Sequence, residues 1–291
     1  MPKILQRLER TASIVLVLVG AVVLWEIGVA IFQPKEFILP APSVILVTFF
    51  EAPTYFLKHT VYTLVNTLTG FAIAVVAGVL CAIGIVYSRF LDRTLYTLLV
   101  ALNSVPKVAL APIFVIWMGT NSEPKIAIAI AIAIFPIVID GVLGLRSVDP
   151  NMIDLARTSR ASQLQILIKI RFPNALPSIF AGMKVAISFA LIGAIVGEFV
   201  AGEIGLGHVI LFNQGMFDTP RVFVALVILG LLGTALFYSV DLAERLVLPW
   251  HVSQRGSHKS KPAEPAPGKK SSHSGTAAPA VQPSMRAQED A

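Results

Sequence analysis

Chemistry at a protein site needs clustered titratable or nucleophilic side chains, or a backbone cradle for a ligand, and this sequence supplies neither in the usual forms. Its five histidines are dispersed, and no nucleophile-and-base pair or metal-ligand spacing stands out. Cys81 is the only cysteine and lies in an apolar run, so an intramolecular disulfide and a cysteine-rich metal site are both excluded. No Gly-x-x-x-x-Gly-Lys-Ser/Thr segment occurs, so the chain has no P-loop with which to wrap nucleotide phosphates. What remains is a set of polar residues within or beside apolar runs, namely Asn103, Lys107, Asp140, Ser188 and Glu198. Such groups are expensive in lipid and mark a path for a solute where they do not simply end a helix. Asn103, Lys107 and Ser188 are the candidates for a translocation path. Lys107 suits an anionic solute, or snorkels beside the break at Pro106. Asp140 and Glu198 read as solvated or helix-capping groups near opposite interfaces.

Those residues need a membrane to position them. Hydrophobic residues make up 55% of the 291, charged residues 14%, and the mean hydropathy is +0.77. That is more apolar surface than a soluble domain of this size can bury. Six segments approach the roughly 20 apolar residues that cross a bilayer: 14–32, 61–87, 95–118, 125–144, 179–200 and 222–240, the third interrupted by Pro106 and Lys107. The fold class is therefore all-α and polytopic. The first segment has the basic lead of a signal peptide, but its apolar run is too long and no small-residue cleavage site follows, so it reads as a retained helix. Arg89 and Arg93 fall between spans two and three, and Arg146, Arg157, Arg160, Lys169 and Arg171 between four and five, which places those loops and both termini in the cytoplasm. The net charge of +6 is thus a topology signal and not a nucleic-acid footprint. Gly70, Ala74, Gly78 and Ala82 recur every fourth residue, as do Ala186, Ala190 and Ala194, predicting two helix faces that admit close neighbours.

The stretch at about 146–178 is longer than a passive connection between spans requires, and it carries helix signals of its own. Asp149 before Pro150 starts a short helix through about Thr158, along which Asp154 can meet Arg157 and Thr158. Ser162 and Gln165 have capping-box spacing for a second amphipathic helix, with Leu164, Leu167 and Ile168 as its apolar stripe and Phe172 before Pro173 as its end.

The run Asp154-Leu155-Ala156-Arg157-Thr158-Ser159-Arg160-Ala161-Ser162, continuing to Ile170-Arg171-Phe172-Pro173-Asn174-Ala175-Leu176-Pro177, resembles the coupling-loop signature of ABC importer permeases. Val105-Pro106-Lys107-Val108-Ala109, Pro112, Trp117-Met118-Gly119, Phe135-Pro136, Leu145-Arg146-Ser147-Val148-Asp149-Pro150 and Gly205-Leu206-Gly207 are similar to the nitrate/sulfonate/taurine branch of that family. The resemblance implies a permease domain over 14–250 and a cytoplasmic loop that docks on an ATPase pair. It further implies a second permease copy or close relative, and an extracytoplasmic solute-binding protein. Carried over by position, Asp154, Ala156, Arg157, Arg160, Ala161, Pro173 and Pro177 are the coupling-loop residues. The implied cargo is a small nitrate-, sulfonate- or taurine-like solute, with a thiamine-precursor pyrimidine or riboflavin as the alternative within the family. An ion-coupled secondary transporter is the alternative outside it, but the inverted repeats and paired intramembrane acids of that class are not evident. Two positions depart from the family pattern: Asp154 stands where glutamate is usual, and Arg160 where a helix-ending glycine is usual. No cofactor or metal is implied. Residues 1–13 read as a cytoplasmic lead. Residues 251–291, rich in Ser, Lys, Pro and Ala, read as a disordered cytoplasmic tail.

Overall fold

The computed structural model describes residues 3–96, 101 and 106–249. Every regular element among them is helical. The principal helices are α1 (Lys3–Phe32), α2 (Pro42–Glu51), α3 (Pro53–Tyr87), α4 (Ala111–Met118), α5 (Glu123–Arg146), α6 (Pro150–Thr158), α7 (Gln163–Ile166), α8 (Phe172–Ala201), α9 (Leu206–Gly215) and α10 (Thr219–Val247). Backbone donors and acceptors have no water to bond in hydrocarbon, so a chain this apolar closes its hydrogen bonds within helices.

Among the described residues, four helical stretches are long and apolar enough to cross a bilayer: Pro53–Tyr87, Glu123–Arg146, Gln163–Ala201 and Thr219–Val247. They contain the expected spans two, four, five and six, each extended by several residues. The apolar part of α1, Leu16–Phe32, is shorter. The third expected span is described only in part. A 3-10 turn at Lys107–Leu110 leads into the eight-residue α4, about 12 Å of helix and too short to cross alone. Asn103 and the tail at 251–291 lie outside the described residues. The connection after span one, which the sequence reads as a loop, contains the apolar α2. Pro42 and Pro53 stand at the first turns of α2 and α3, where a missing N–H costs nothing.

α5 is the centre of the bundle, packed between α3 and α8. The glycine and alanine faces make this possible. A Cβ on Gly70 would come within 2.6 Å of Ala129 Cβ, one on Gly78 within 2.8 Å of Ile137, and one on Gly193 within 2.6 Å of Ala129 Cα. Ala129 therefore sits where three helix backbones crowd together. Ala74, Ala82, Ala186, Ala190 and Ala194 are all buried on the same faces. α5 includes a strict Ile/Ala alternation over 126–133. That period suits a strand in water, but in lipid an open strand leaves its backbone unsatisfied, and the segment is a helix instead.

The boundary after the second loop helix differs from the sequence expectation. Phe172 and Pro173 do not end it. α7 runs through a π-helical turn at Leu167–Arg171 directly into α8, making one apolar helical stretch over Gln163–Ala201. Pro173 falls in the first turn of α8, and Pro177 lies inside that helix. The wide turn before Pro173 accommodates the residue that would otherwise break the ladder.

Candidate functional site

α6 begins where its sequence says it should. Asp149 is the N-cap, and its carboxylate accepts the Asn151 N–H at 2.8 Å. Asp154 and Arg157 pair at 3.4 Å, both largely exposed. Thr158 donates its hydroxyl to the Asp154 backbone carbonyl at 2.8 Å, not to the carboxylate. The helix then ends on Arg160 at φ +58°. The Arg160 N–H reaches the Arg157 carbonyl at 2.9 Å, and the Ala161 N–H reaches the Ala156 carbonyl at 3.0 Å. This pair of bonds is a Schellman cap with arginine in the left-handed position that glycine usually fills. The turn keeps its geometry and accepts about 1 kcal/mol of local strain.

The next residue after the cap is already the start of the following helix. Ser162 Oγ accepts the Gln165 N–H at 3.2 Å, and Gln165 returns Oε1 to the Ser162 N–H at 2.8 Å. α6 and α7 are thus joined by two interlocked caps with no slack residue. Ile153 and Ile166 turn inward and are buried, while Met152, Leu155, Leu164 and Ile168 stay exposed. The base of the loop is fastened to neighbouring helix ends by Asn174 Nδ2 to Ser147 Oγ at 2.8 Å, Tyr87 Oη to the Gln163 carbonyl at 3.3 Å, and Arg146 to Asp92 at 2.7 Å. The result is a capped projection with exposed aliphatic side chains, continuous with a core helix of the bundle.

Of the other candidates, Lys107 is half-buried, its ammonium 4.2 Å from the centroid of the Phe135 ring of α5, a cation–π geometry. Ser188 is half-buried on α8. Asp140 is half-buried on α5 and lies across from Gly182 of α8, where a Cβ would stand 3.0 Å from Oδ2.

Two buried polar clusters escape the sequence reading. In the first, Lys184 of α8 forms ion pairs with Asp241 and Glu244 of α10, and Asp241 also meets Arg245 at 2.7 Å. A lysine in the middle of an apolar span was the available signal. In the second, Glu198 near the end of α8 is 1% exposed and accepts Thr63 Oγ1–H at 2.8 Å and the Gly207 N–H at 2.8 Å. Glu198 is a capping group, as one of the two sequence expectations has it, but it is not solvated. Thr63 Oγ1 also accepts the Leu206 N–H at 2.9 Å, and His59 Nδ1 lies 3.0 Å from Gly205 N. His59 stacks on His208 with ring centroids 6.0 Å apart. His59 lies on α3 and His208 on α9. Among the described residues no group of three His, Cys, Asp or Glu side chains is arranged to hold a metal.

A helical bundle with four stretches long and apolar enough to cross a bilayer, and a capped loop outside it, is the architecture of a polytopic membrane protein. Residues 74–249 match the family described as binding-protein-dependent transport system inner membrane component, and the chain belongs to that family. It is 36% identical over 252 residues to the riboflavin transport system permease protein of Chloroflexus aurantiacus, covering 86% of this chain and 94% of that one. It is 33% identical to the formylaminopyrimidine transport permease protein of Halalkalibacterium halodurans, covering 86% and 98%. A putative aliphatic sulfonates transport permease protein of Escherichia coli matches at 29% over 80% of this chain and 89% of its own length. The fold is shared with the solved inward-facing methionine ABC transporter, at a TM-score of 0.54 and 19% identity over 69% of this chain and 97% of that one. The protein is accordingly an ABC transporter permease, integral to the inner membrane.

Proposed function

We propose that this chain is the transmembrane subunit of an ABC importer and carries a small polar solute into the cytoplasm without hydrolysing ATP itself. An ATPase pair docks on the loop at 149–168, a second permease copy or close relative completes the pore, and an extracytoplasmic binding protein delivers the solute. The observation that carries this reading is the doubly capped α6–α7 projection. It holds exposed Met152, Leu155, Leu164 and Ile168 beside the Asp154–Arg157 pair and leads without a break into α8. Exposed aliphatic side chains on a rigid, polar-edged helix pair suit a protein partner, and the continuous helix suits transmission of its movement. Six spans, with α1 and the 95–118 segment completing the four long helical stretches, put both termini and this loop in the cytoplasm, as the distribution of arginine and lysine supports.

For the solute, the relatives named for riboflavin and formylaminopyrimidine transport are more similar to this chain than the one named for aliphatic sulfonates. A planar nitrogen heterocycle is therefore the cargo we favour. A sulfonate or nitrate is the second reading, supported by the half-buried Lys107 at the start of the 3-10 turn that leads into α4. Coexpression with the candidate ATPase tests the function. Wild type should retain the ATPase through detergent purification, and the double charge reversal Asp154→Arg with Arg157→Glu should lose it. Uptake in vesicles driven by an ion gradient with no ATPase present would overturn the importer reading in favour of a secondary transporter. Competition among riboflavin, an aminopyrimidine and taurine for ATP-driven uptake then decides the solute class.

A further inference from the structure

The first turn of α9 is capped by side chains from two other helices. A helix start leaves its first N–H groups without intrahelical acceptors. Here the Leu206 N–H goes to Thr63 Oγ1 of α3 and the Gly207 N–H to Glu198 Oε2 of α8. Thr63 in turn donates to both carboxylate oxygens of Glu198, at 2.8 and 3.0 Å. The three elements are thus joined through one hydroxyl and one carboxylate, both essentially out of contact with solvent, beside the single contact of His59 Nδ1 with Gly205 N. The backbone is shaped around the acid. Gly205 stands at φ +124°, and a Cβ there would strike the Glu198 carboxylate; one on Gly207 would lie 2.8 Å from Glu198 Cβ. Glycine is required at Gly205 both for the backbone angle and for the approach.

Position gives this knot its meaning. The helical stretch Gln163–Ala201 starts at the Ser162 cap of the projecting loop and carries Glu198 near its other end, about 50 Å away at the helical rise. One continuous rod therefore has the loop at one end and the cap of α9 at the other. We infer that Glu198 is a positioning residue that locks α9 and α3 to the far end of α8, so that a displacement of α8 at the loop is delivered to α9 at the opposite side of the bundle. The coupling half of this inference rests on the importer reading above; the lock itself does not. Rigid helices that share hydrogen-bonded termini move as one body, whereas α9 left with the short 202–205 connection and the His59–Gly205 contact alone is freer to shift.

The test separates the two halves. In a Cys81→Ser background, spin labels at exposed Leu57 of α3 and Phe212 of α9 report the distance between those helices. Glu198→Gln removes one acceptor oxygen from the pair facing Gly207 and Thr63, and Thr63→Val removes the bridging hydroxyl while keeping its shape. Thr63→Ser keeps the hydroxyl. Wild type and Thr63→Ser should give one narrow distance, and both disruptive variants a distribution several ångströms broader. In the assembled transporter the same two variants should keep basal ATP hydrolysis but lose the stimulation by solute-loaded binding protein about tenfold. Equal widths in all four proteins overturn the lock. Broadening with full stimulation overturns the coupling, and so does lost stimulation without broadening. If Glu198→Gln does not purify as a monodisperse protein, Thr63→Val against Thr63→Ser decides alone. Failure of the wild-type chain to hold any ATPase sinks the importer reading and leaves the distance comparison to judge the lock.

Discussion

Replacing Lys184 with methionine keeps the aliphatic stem and removes one charge from a balanced group of four. Lys184, Asp241 and Glu244 have side chains only 11%, 13% and 4% exposed, while Arg245 is 63% exposed. Two cations and two carboxylates cancel in the native protein. Lys184→Met leaves two carboxylates to share Arg245, which already lies 2.7 Å from Asp241. Breaking a buried pair by removing one partner costs about 3–5 kcal/mol. Arg245 keeps half of the charge neutralised, so the lower end applies, about 3 kcal/mol. For a bundle of this size that lowers Tm by about 6–12 °C, read from thermal unfolding in detergent by circular dichroism. The double variant Lys184→Met with Glu244→Leu restores neutrality and should recover to within about 1 kcal/mol of wild type. The reasoning is refuted if Lys184→Met melts within about 2 °C of wild type, or if the double variant melts as low as the single one.

Arg160→Gly should stabilise the loop by about 0.5–1 kcal/mol, since the strain at φ +58° outweighs the added chain entropy; hydrogen exchange at the Ala161 amide should slow, whereas Arg160→Val should accelerate it. An unchanged rate in Arg160→Gly would show that the cap carries no strain. Gly193→Ala forces a Cβ to 2.6 Å from Ala129 Cα and 2.9 Å from Ala129 N. Backbone cannot rotate away, so overpacking should cost about 1–3 kcal/mol. Gly230→Ala, with nothing within 4 Å, should melt within about 0.5 kcal/mol of wild type.

Local signals in the sequence translated well where the governing interactions are themselves local. Asp149 and Ser162 cap the helices their spacing predicts, and the small-residue face of α3 meets α5 as its four-residue repeat requires. The departure at Arg160 was legible as a turn problem, and the turn holds the left-handed angle with arginine in place. The end of α7 was not legible. Phe172-Pro173 reads as a stop, but a π turn just upstream lets the helix continue. That choice is settled by packing around the π turn, where Leu167 and Phe172 lie against the core formed by Val142, Leu145 and Ala175.

The sequence alone determines that this chain needs lipid, that it is helical there, and where its projecting loop begins and turns. Hydropathy, charge placement and capping chemistry act over a few residues and leave their mark in composition and spacing. Only the tertiary structure decided that Lys184 faces Asp241 and Glu244, and that Glu198 closes the start of α9 through Thr63. Thr63 and Glu198 are 135 positions apart, and Lys184 and Asp241 are 57 apart. No local pattern encodes such pairings, because a buried charge finds its partner only after the helices that carry both have packed.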